Sequence, residues 1–525
     1  MPLQSPETTD NSKKAAALKS QIGDTGIPTE ELVRITEGTG ILLVGRVLER
    51  VLQFLYAVVM ARMLGYERFG LFMLGVTIFS LASVFGRFGL DCGVLKYVAL
   101  YDGINDKERV KGVIIASLKF AFLISVIVGM VLFLTSEYLA SAIFKKSELK
   151  KIIEALSVCL PFLSLLTIAV SATRGFQVMR YTTYSQGIFR PIVNLVLAIV
   201  LLFLGFGLQG ATSAYVISVL LTSILALYFL LKTFPEMVCI EAIPETKKLF
   251  RVSVPMFLTL FVTFLTMWTD TLMLGYFRSS GEVGVYNAAM RTAMLIAMVQ
   301  ISFSSVFTPM ISDLHNRREL RKLKSLFQTT TRWIYTASLP MFLLMLLLSK
   351  EILVIFGREF MGGSICLLIL ALAQLVGASV GSAGMILAMS GKQDLMMYDT
   401  LLFCGLNILL NYIFIPFFGI VGAAIASGAS ITVYSIILLL QVHMLLKMYP
   451  YNRKFVSTTL YGVVSFGLVY MAKSFTVHMA EIPKVLVLVT LLIVIFAGLI
   501  YKWGGYDEDR LVINVFRENF RRAFA

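Results

Sequence analysis

Charge is scarce in this 525-residue chain. Lys, Arg, Asp and Glu together make up 15% of it, where a soluble domain carries about a quarter. Hydrophobic residues reach 58% and the mean hydropathy is +0.83, so an ordinary water-soluble core is excluded and the surplus apolar surface needs lipid as its solvent. Cysteine is also sparse. Cys92, Cys159, Cys239, Cys366 and Cys404 are odd in number and widely spaced, without the close pairs that zinc or redox sites use, and they read as small apolar packing residues. The three histidines, His315, His443 and His478, are too scattered for a metal cluster. No Gly-x4-Gly-Lys-Ser/Thr loop is present, which excludes ATP hydrolysis by that route. The expectation is a protein that is not an enzyme and has no cofactor or metal.

What the chain does have is long apolar runs. Crossing a hydrocarbon core takes about 20 such residues in a helix, because backbone groups must bond within their own segment. Counting these runs predicts an all-α integral membrane protein of about fourteen transmembrane helices. The net charge of +15 reads as loop asymmetry and not as a nucleic-acid surface. Most Lys and Arg fall in alternate loops, most densely at Arg317, Arg318, Arg321, Lys322, Lys324 and Arg332, while the turns 205–209 and 416–420 carry none. Cytoplasmic loops collect such residues, so both termini are expected in the cytoplasm. Lys145, Lys146, Lys150 and Lys151 run against the rule, diluted by Glu148 and Glu154. The first 35 residues form a polar tail without the apolar core of a cleavable signal. Residues 503–525 carry Leu511, Val512, Val515, Phe516, Phe520 and Phe524 at helical spacing beside Arg510, Arg517, Arg521 and Arg522, a basic amphipathic helix suited to an anionic inner leaflet. Asp507-Glu508-Asp509 has the form of a metal-binding Asp-x-Asp, but no nucleotide-binding domain surrounds it.

The chain also repeats itself. Met63-Leu64-Gly65-Tyr66 recurs as Met273-Leu274-Gly275-Tyr276, and Gly70-Leu71-Phe72 is echoed by Gly284-Val285-Tyr286. Gly175-Phe176-Gln177 matches Gly391-Lys392-Gln393, and Gly207 to Ala211 matches Gly419 to Ala423. Landmarks in one order at near-constant spacing indicate duplication. The predicted organisation is a bundle of six helices over 36–231, a cytoplasmic linker over 232–249, a second six-helix bundle over 250–446, and helices thirteen and fourteen over 447–502. Six is even, so the repeats are parallel.

Ionisable residues at membrane depth are costly and mark partners or wet cavities. Arg46, Glu49, Arg50 and Gln53 share one face of the first helix. They are candidates to line a cavity and hold phosphate through guanidinium; the alternative is a pair that snorkels to the interface. Arg87 carries the same two readings. Asp270 and Arg291 fall at similar depth in consecutive helices and are candidates for an ion pair, with Asn287 one turn from Arg291. Lys119 reads as interfacial. Asn194, Gln300, Gln374, Asn407 and Asn411 read as amides bonding between helices, and Gly377 with Gly381 as a close-packing GxxxG pair.

The motifs Ala61-Arg62-Met63-Leu64-Gly65, Phe69-Gly70-Leu71-Phe72, Gly86-Arg87-Phe88-Gly89-Leu90 and Thr269 to Gly275, followed by Gly284 to Arg291, resemble polysaccharide and oligosaccharide flippases of the multidrug/oligosaccharidyl-lipid/polysaccharide exporter superfamily, over nearly all of residues 35–502. The resemblance implies transport of a lipid-linked oligosaccharide or polysaccharide repeat unit, on a polyprenyl or dolichyl phosphate or pyrophosphate, across the cytoplasmic membrane by alternating access, through a central cavity lined by cations. The expected partners are that lipid-linked sugar, membrane lipids and glycan-assembly enzymes, with no nucleic acid, and the protein is expected to work as a monomer. Two readings compete. A cation-coupled drug antiporter of the same superfamily usually has twelve helices and a carboxylate-centred site. A membrane-embedded glycan polymerase or ligase would show a long, polar external loop, and none is legible.

Overall fold

A computed structural model describes residues 29–475 and 481–503, with side chains from Glu49 onward except those of Val238, Ser305, Val306, Glu481, Ile482 and Trp503. The N-terminal tail before residue 29, His478, the Asp507-Glu508-Asp509 run and the amphipathic segment 510–525 lie outside the described residues, as does the side chain of Arg46. Among the described residues there are helices and turns and no strand. In chain order the main helices are α1 (Thr29–Arg87), α2 (Leu90–Gly103), α3 (Lys107–Leu134), α4 (Leu149–Gly175), α5 (Met179–Phe203), α6 (Gly207–Thr233) and α7 (Thr246–Phe277). They continue as α8 (Ser280–Asn316), α9 (Leu320–Val354), α10 (Ser364–Val380), α11 (Ala383–Met389), α12 (Gln393–Leu446), α13 (Arg453–Phe475) and α14 (Glu481–Trp503).

Among the described residues, eleven helices are long and apolar enough to cross a membrane, or twelve when the bent α8 is counted as one span. Two of them contain a glycine outside helical geometry: Gly65 in α1 (φ 75°, ψ 169°) and Gly419 in α12 (φ 56°, ψ −130°). Each arm beside these breaks is long enough for a crossing of its own, which makes the count compatible with about fourteen. The face on which α1 begins is called the N-terminal face below, and the face carrying Gly65 the opposite face.

Some expected boundaries move. The second predicted span, the apolar run over 69–91, ends at Arg87, where Phe88 and Gly89 take positive φ (48° and 71°) before α2 resumes. The tenth, the apolar run over 362–389, is broken at Gly381 (φ 64°) into α10 and α11. Gly381 sits at the break and not inside a continuous helix; its backbone takes a conformation that favours glycine, a Cβ there would lie 2.2 Å from Thr331 Oγ1 of α9, and its carbonyl accepts from Gln300 Nε2 at 2.7 Å. Gln300 thus bonds between helices, as the amide reading expects. Lys119 is exposed on α3.

At the opposite face the two halves of the chain meet closely. A Cβ on Gly70 would lie 1.8 Å from the Ser280 carbonyl oxygen and 2.7 Å from Gly284 N, and one on Gly284 would lie 2.2 Å from the Tyr66 oxygen. Arg62 Nε donates to the Ile355 carbonyl at 2.6 Å and Nη2 to Val354 at 3.3 Å, while Phe69 packs edge-on against Phe360. Lys146 Nζ donates to the carbonyls of Gly275 and Arg278 at 2.5 and 3.0 Å. Burial pushes the Lys146 pKa below the ordinary lysine value, with Glu282 pulling the other way. Helices α13 and α14 join the bundle against α9 through Leu339, Leu343, Leu488 and Leu492. Glu351 of α9 pairs there with Lys473 at 3.4 Å and Lys484 at 3.3 Å.

Candidate functional site

A cavity of about 680 Å³ lies between α1, α4, α5, α6, α7 and α8. Along the chain, Arg87 and Arg174 close their helices at the N-terminal face and Glu49, Arg50 and Arg190 lie further along theirs, whereas Asn287 and Arg291 follow shortly after α8 starts at the opposite face. The cavity therefore runs into the bundle and stops below the Gly70–Gly284 contact. Five guanidiniums line it against two carboxylates, Glu49 and Asp91.

The arginines are not equally neutralised. Arg87 donates through Nε to the Ser83 carbonyl at 3.1 Å, and its Nη1 lies 3.5 Å from Asp91 Oδ2. Arg50 reaches Gln53 Oε1 at 3.2 Å, and Gln53 in turn donates to Glu49 Oε1 at 3.1 Å, so the shared face expected for the first helix forms a linked row. Among the described residues, Arg291 has the Met73 thioether alone, 3.2 Å from Nη2, and its buried Nε has no partner. Arg50 and Arg291 line the same cavity, where an anion between them would meet both guanidiniums.

The expected Asp270–Arg291 ion pair does not form. Asp270 is 4% exposed and is not among the residues lining the cavity. Tyr286 Oη donates to its Oδ2 at 2.5 Å and Ser427 Oγ to the same oxygen at 2.5 Å; Asn411 and Asn407 donate to Oδ1 at 2.6 and 3.2 Å. Sequence depth put Asp270 and Arg291 at one level but could not give the direction in which each points. Four neutral donors spread the carboxylate charge, and Asn407 and Asn411, expected as packing amides, are part of this knot. Asn287 lines the cavity and donates to Thr271 Oγ1 at 3.4 Å and the Val283 carbonyl at 2.9 Å.

Two cavity arginines escaped the sequence reading. Arg174 and Arg190 stand near span ends, where snorkelling explains a cation without any cavity. The available signal was the pairing of Arg190 with Asn194 one turn later inside an apolar run.

A family model described as "Polysaccharide biosynthesis protein" matches residues 35–315, more than half of the chain. The chain belongs to the polysaccharide biosynthesis protein family. A second model, MatE, matches residues 255–413. Among relatives of this family member, the probable low-salt glycan biosynthesis flippase Agl15 of Haloferax volcanii is 25% identical over 397 residues, covering 74% of this chain and 79% of the relative. The probable flippase AglR of the same organism is 29% identical over 173 residues, covering 32% and 36%. In fold, the family member is similar to the lipid II flippase MurJ in an inward closed conformation, with a TM-score of 0.71 and 17% identity over 87% of this chain and 98% of that one. It is also similar to an inward-facing multidrug resistance MATE family transporter, with a TM-score of 0.62 and 19% identity over 76% and 94%.

Proposed function

We propose that this protein is a flippase that moves a lipid-linked oligosaccharide or polysaccharide unit, on a polyprenyl or dolichyl phosphate or diphosphate carrier, across the cytoplasmic membrane by alternating access. The observation that carries the reading is the excess of guanidinium over carboxylate in the cavity, centred on Arg291 without a counter-ion. Guanidinium forks match phosphate oxygens in geometry and charge. The same excess disfavours the cationic cargo of a drug antiporter. Membership in the polysaccharide biosynthesis family and similarity to Agl15 support the choice of glycan.

In this reading both termini and the N-terminal face are cytoplasmic, and the headgroup enters from that face while the lipid tail stays in the bilayer. Arg50 and Arg291 clamp the phosphate, with Arg87 near the mouth and Glu49 and Asn287 shaping the wall, and Arg46 is a further candidate phosphate contact on the sequence pattern alone. Asp270 belongs to the substrate site only at a distance, as part of the packing behind it. The units 36–231 and 250–446 rock about the Gly70–Gly284 contact, 447–502 flanks the second unit, and one chain provides the whole pathway.

Two measurements test this. In cells lacking the protein, glycan-loaded carrier accumulates on the inner face of the membrane, scored by protection from an impermeant glycosidase; unchanged carrier with altered resistance to cationic drugs would instead mark an antiporter. Single Arg50→Ala, Arg87→Ala and Arg291→Ala changes are expected to lower transport by about 100-fold at an unchanged protein level, since each removes a charge-assisted contact to the phosphate. Parallel loss of protein and transport would mark the arginines as structural, and transport surviving all three changes would refute the clamp.

A further inference from the structure

The phosphate clamp leaves one wall of the cavity unexplained. Residues Thr183–Phe189 of α5 are π-helical, a widened turn that often marks functional sites, and Arg190 follows directly. Its Nη2 donates to Tyr215 Oη at 2.9 Å and its guanidinium lies 5.3 Å from the Tyr215 ring centre. Tyr215 is held by edge contacts with Phe72 and Phe79. No carboxylate among the described residues pairs with Arg190. One turn on, Asn194 is 8% exposed and its buried Oδ1 has no hydrogen-bond partner. Across from it on α1, the buried Tyr56 hydroxyl faces Asn194, near enough to interact with it but without a well-formed hydrogen bond.

Buried polar atoms are nearly always satisfied, so two elements presenting groups without a well-formed partner to one cavity, beside a cation without a carboxylate, point to a ligand that fills them. The composition of the set narrows its chemistry. Arg190 supplies a cation, and Tyr215, whose oxygen already accepts from Arg190, has its proton free to donate. Asn194 Oδ1 is an acceptor. A second phosphate is acceptor-only and would be repelled by that oxygen. A sugar that carries a carboxylate beside hydroxyls satisfies every member.

We infer that Arg190, Tyr215, Asn194 and Tyr56 form a seat for an acidic sugar, a hexuronate-like residue of the glycan, beside the phosphate held by Arg50 and Arg291. The carboxylate takes the Arg190 fork and the Tyr215 hydroxyl, and a ring hydroxyl donates to Asn194. Tyr56 bridges the sugar seat to the phosphate seat. This assignment rests on the flippase reading and adds to it the class of glycan that is preferred.

The test uses the full-length protein in proteoliposomes with two synthetic lipids, a polyprenyl diphosphate bearing one glucuronate and the same carrier bearing one glucose. The readout is the ratio of the two transport rates, which a general loss of folded protein cannot change. Wild type is expected to favour glucuronate, and Arg190→Gln to lower the ratio by about 10-fold or more, since a hydrogen-bonded charge is removed. Asn194→Asp places a negative charge beside the carboxylate and should lower the ratio further. A wild-type ratio near one, or a ratio that neither substitution moves, overturns the assignment and makes Arg190 a support for Tyr215. If wild type moves neither lipid, the flippase reading itself fails and the acidic-sugar seat fails with it.

Discussion

Gly70→Ala is expected to leave the protein in the membrane at normal levels and to lower its transport by about tenfold or more. The added methyl group would sit 1.8 Å from the Ser280 carbonyl oxygen and 2.7 Å from the Gly284 nitrogen. Both neighbours are backbone, so no side-chain rotation relieves the clash, and the helices must separate. Overpacking in a fitted interface costs about 1–3 kcal/mol, and a two-state protein redistributes by that amount. The closed arrangement of the opposite face is destabilised while packing inside each half is untouched. A Met73→Cys reporter makes the shift visible, because Met73 lines the cavity and is 2% exposed with that face closed. In the Gly70→Ala background an impermeant maleimide should reach it from the opposite face. Gly103→Ala, where a Cβ meets nothing within 4 Å, serves as the neutral comparison. If Gly70→Ala transports normally and the reporter stays unreactive, the contact is passive packing.

The same pair of glycines shows what was legible in the sequence. Gly70 and Gly284 stood in matching places of the two repeats, and in the folded chain they touch, which is what two related elements do when they meet around an axis between them. Membrane spans were legible because the apolar runs are long and the bilayer sets their length. Breaks inside the runs were not: Gly65, Gly89 and Gly381 interrupt helices with positive φ, but a glycine within an apolar stretch barely changes its hydropathy. At the site, Glu49, Arg50, Arg87, Asn287 and Arg291 stood out as polar residues in apolar surroundings, and all five line the cavity. Arg190 stood beside Pro191 at a span entrance, where an interfacial explanation sufficed. The partners of Asp270 come from α8 and from both arms of α12, and separations of 137 to 157 residues for the α12 contacts leave no local pattern to read.

That knot supports the second large effect. Asp270→Ala is expected to lower the melting temperature of the purified protein sharply, by an amount equivalent to about 3–5 kcal/mol, because it strands buried groups that were arranged around a charge. Tyr286 and Ser427 lose their acceptor on Oδ2, and Asn407 and Asn411 lose theirs on Oδ1. Asp270→Asn keeps the shape. Its amide oxygen still accepts, and hydroxyl rotation at Tyr286 and Ser427 lets them accept in turn, so its melting temperature should fall much less. The two variants then separate packing from charge. Asp270 has no cationic partner among the described residues, and the Asn411 oxygen beside it is buried without a donor. Turning either asparagine amide would present its oxygen alongside the carboxylate, giving an oxygen-rich set suited to a hard monovalent cation. Addition of Na⁺ at constant ionic strength and fixed pH should therefore raise the melting temperature of wild type and leave Asp270→Asn unmoved. A response of equal size in both proteins would place any sodium effect elsewhere, and a melting temperature unmoved by Asp270→Ala would show that the knot contributes little to the fold.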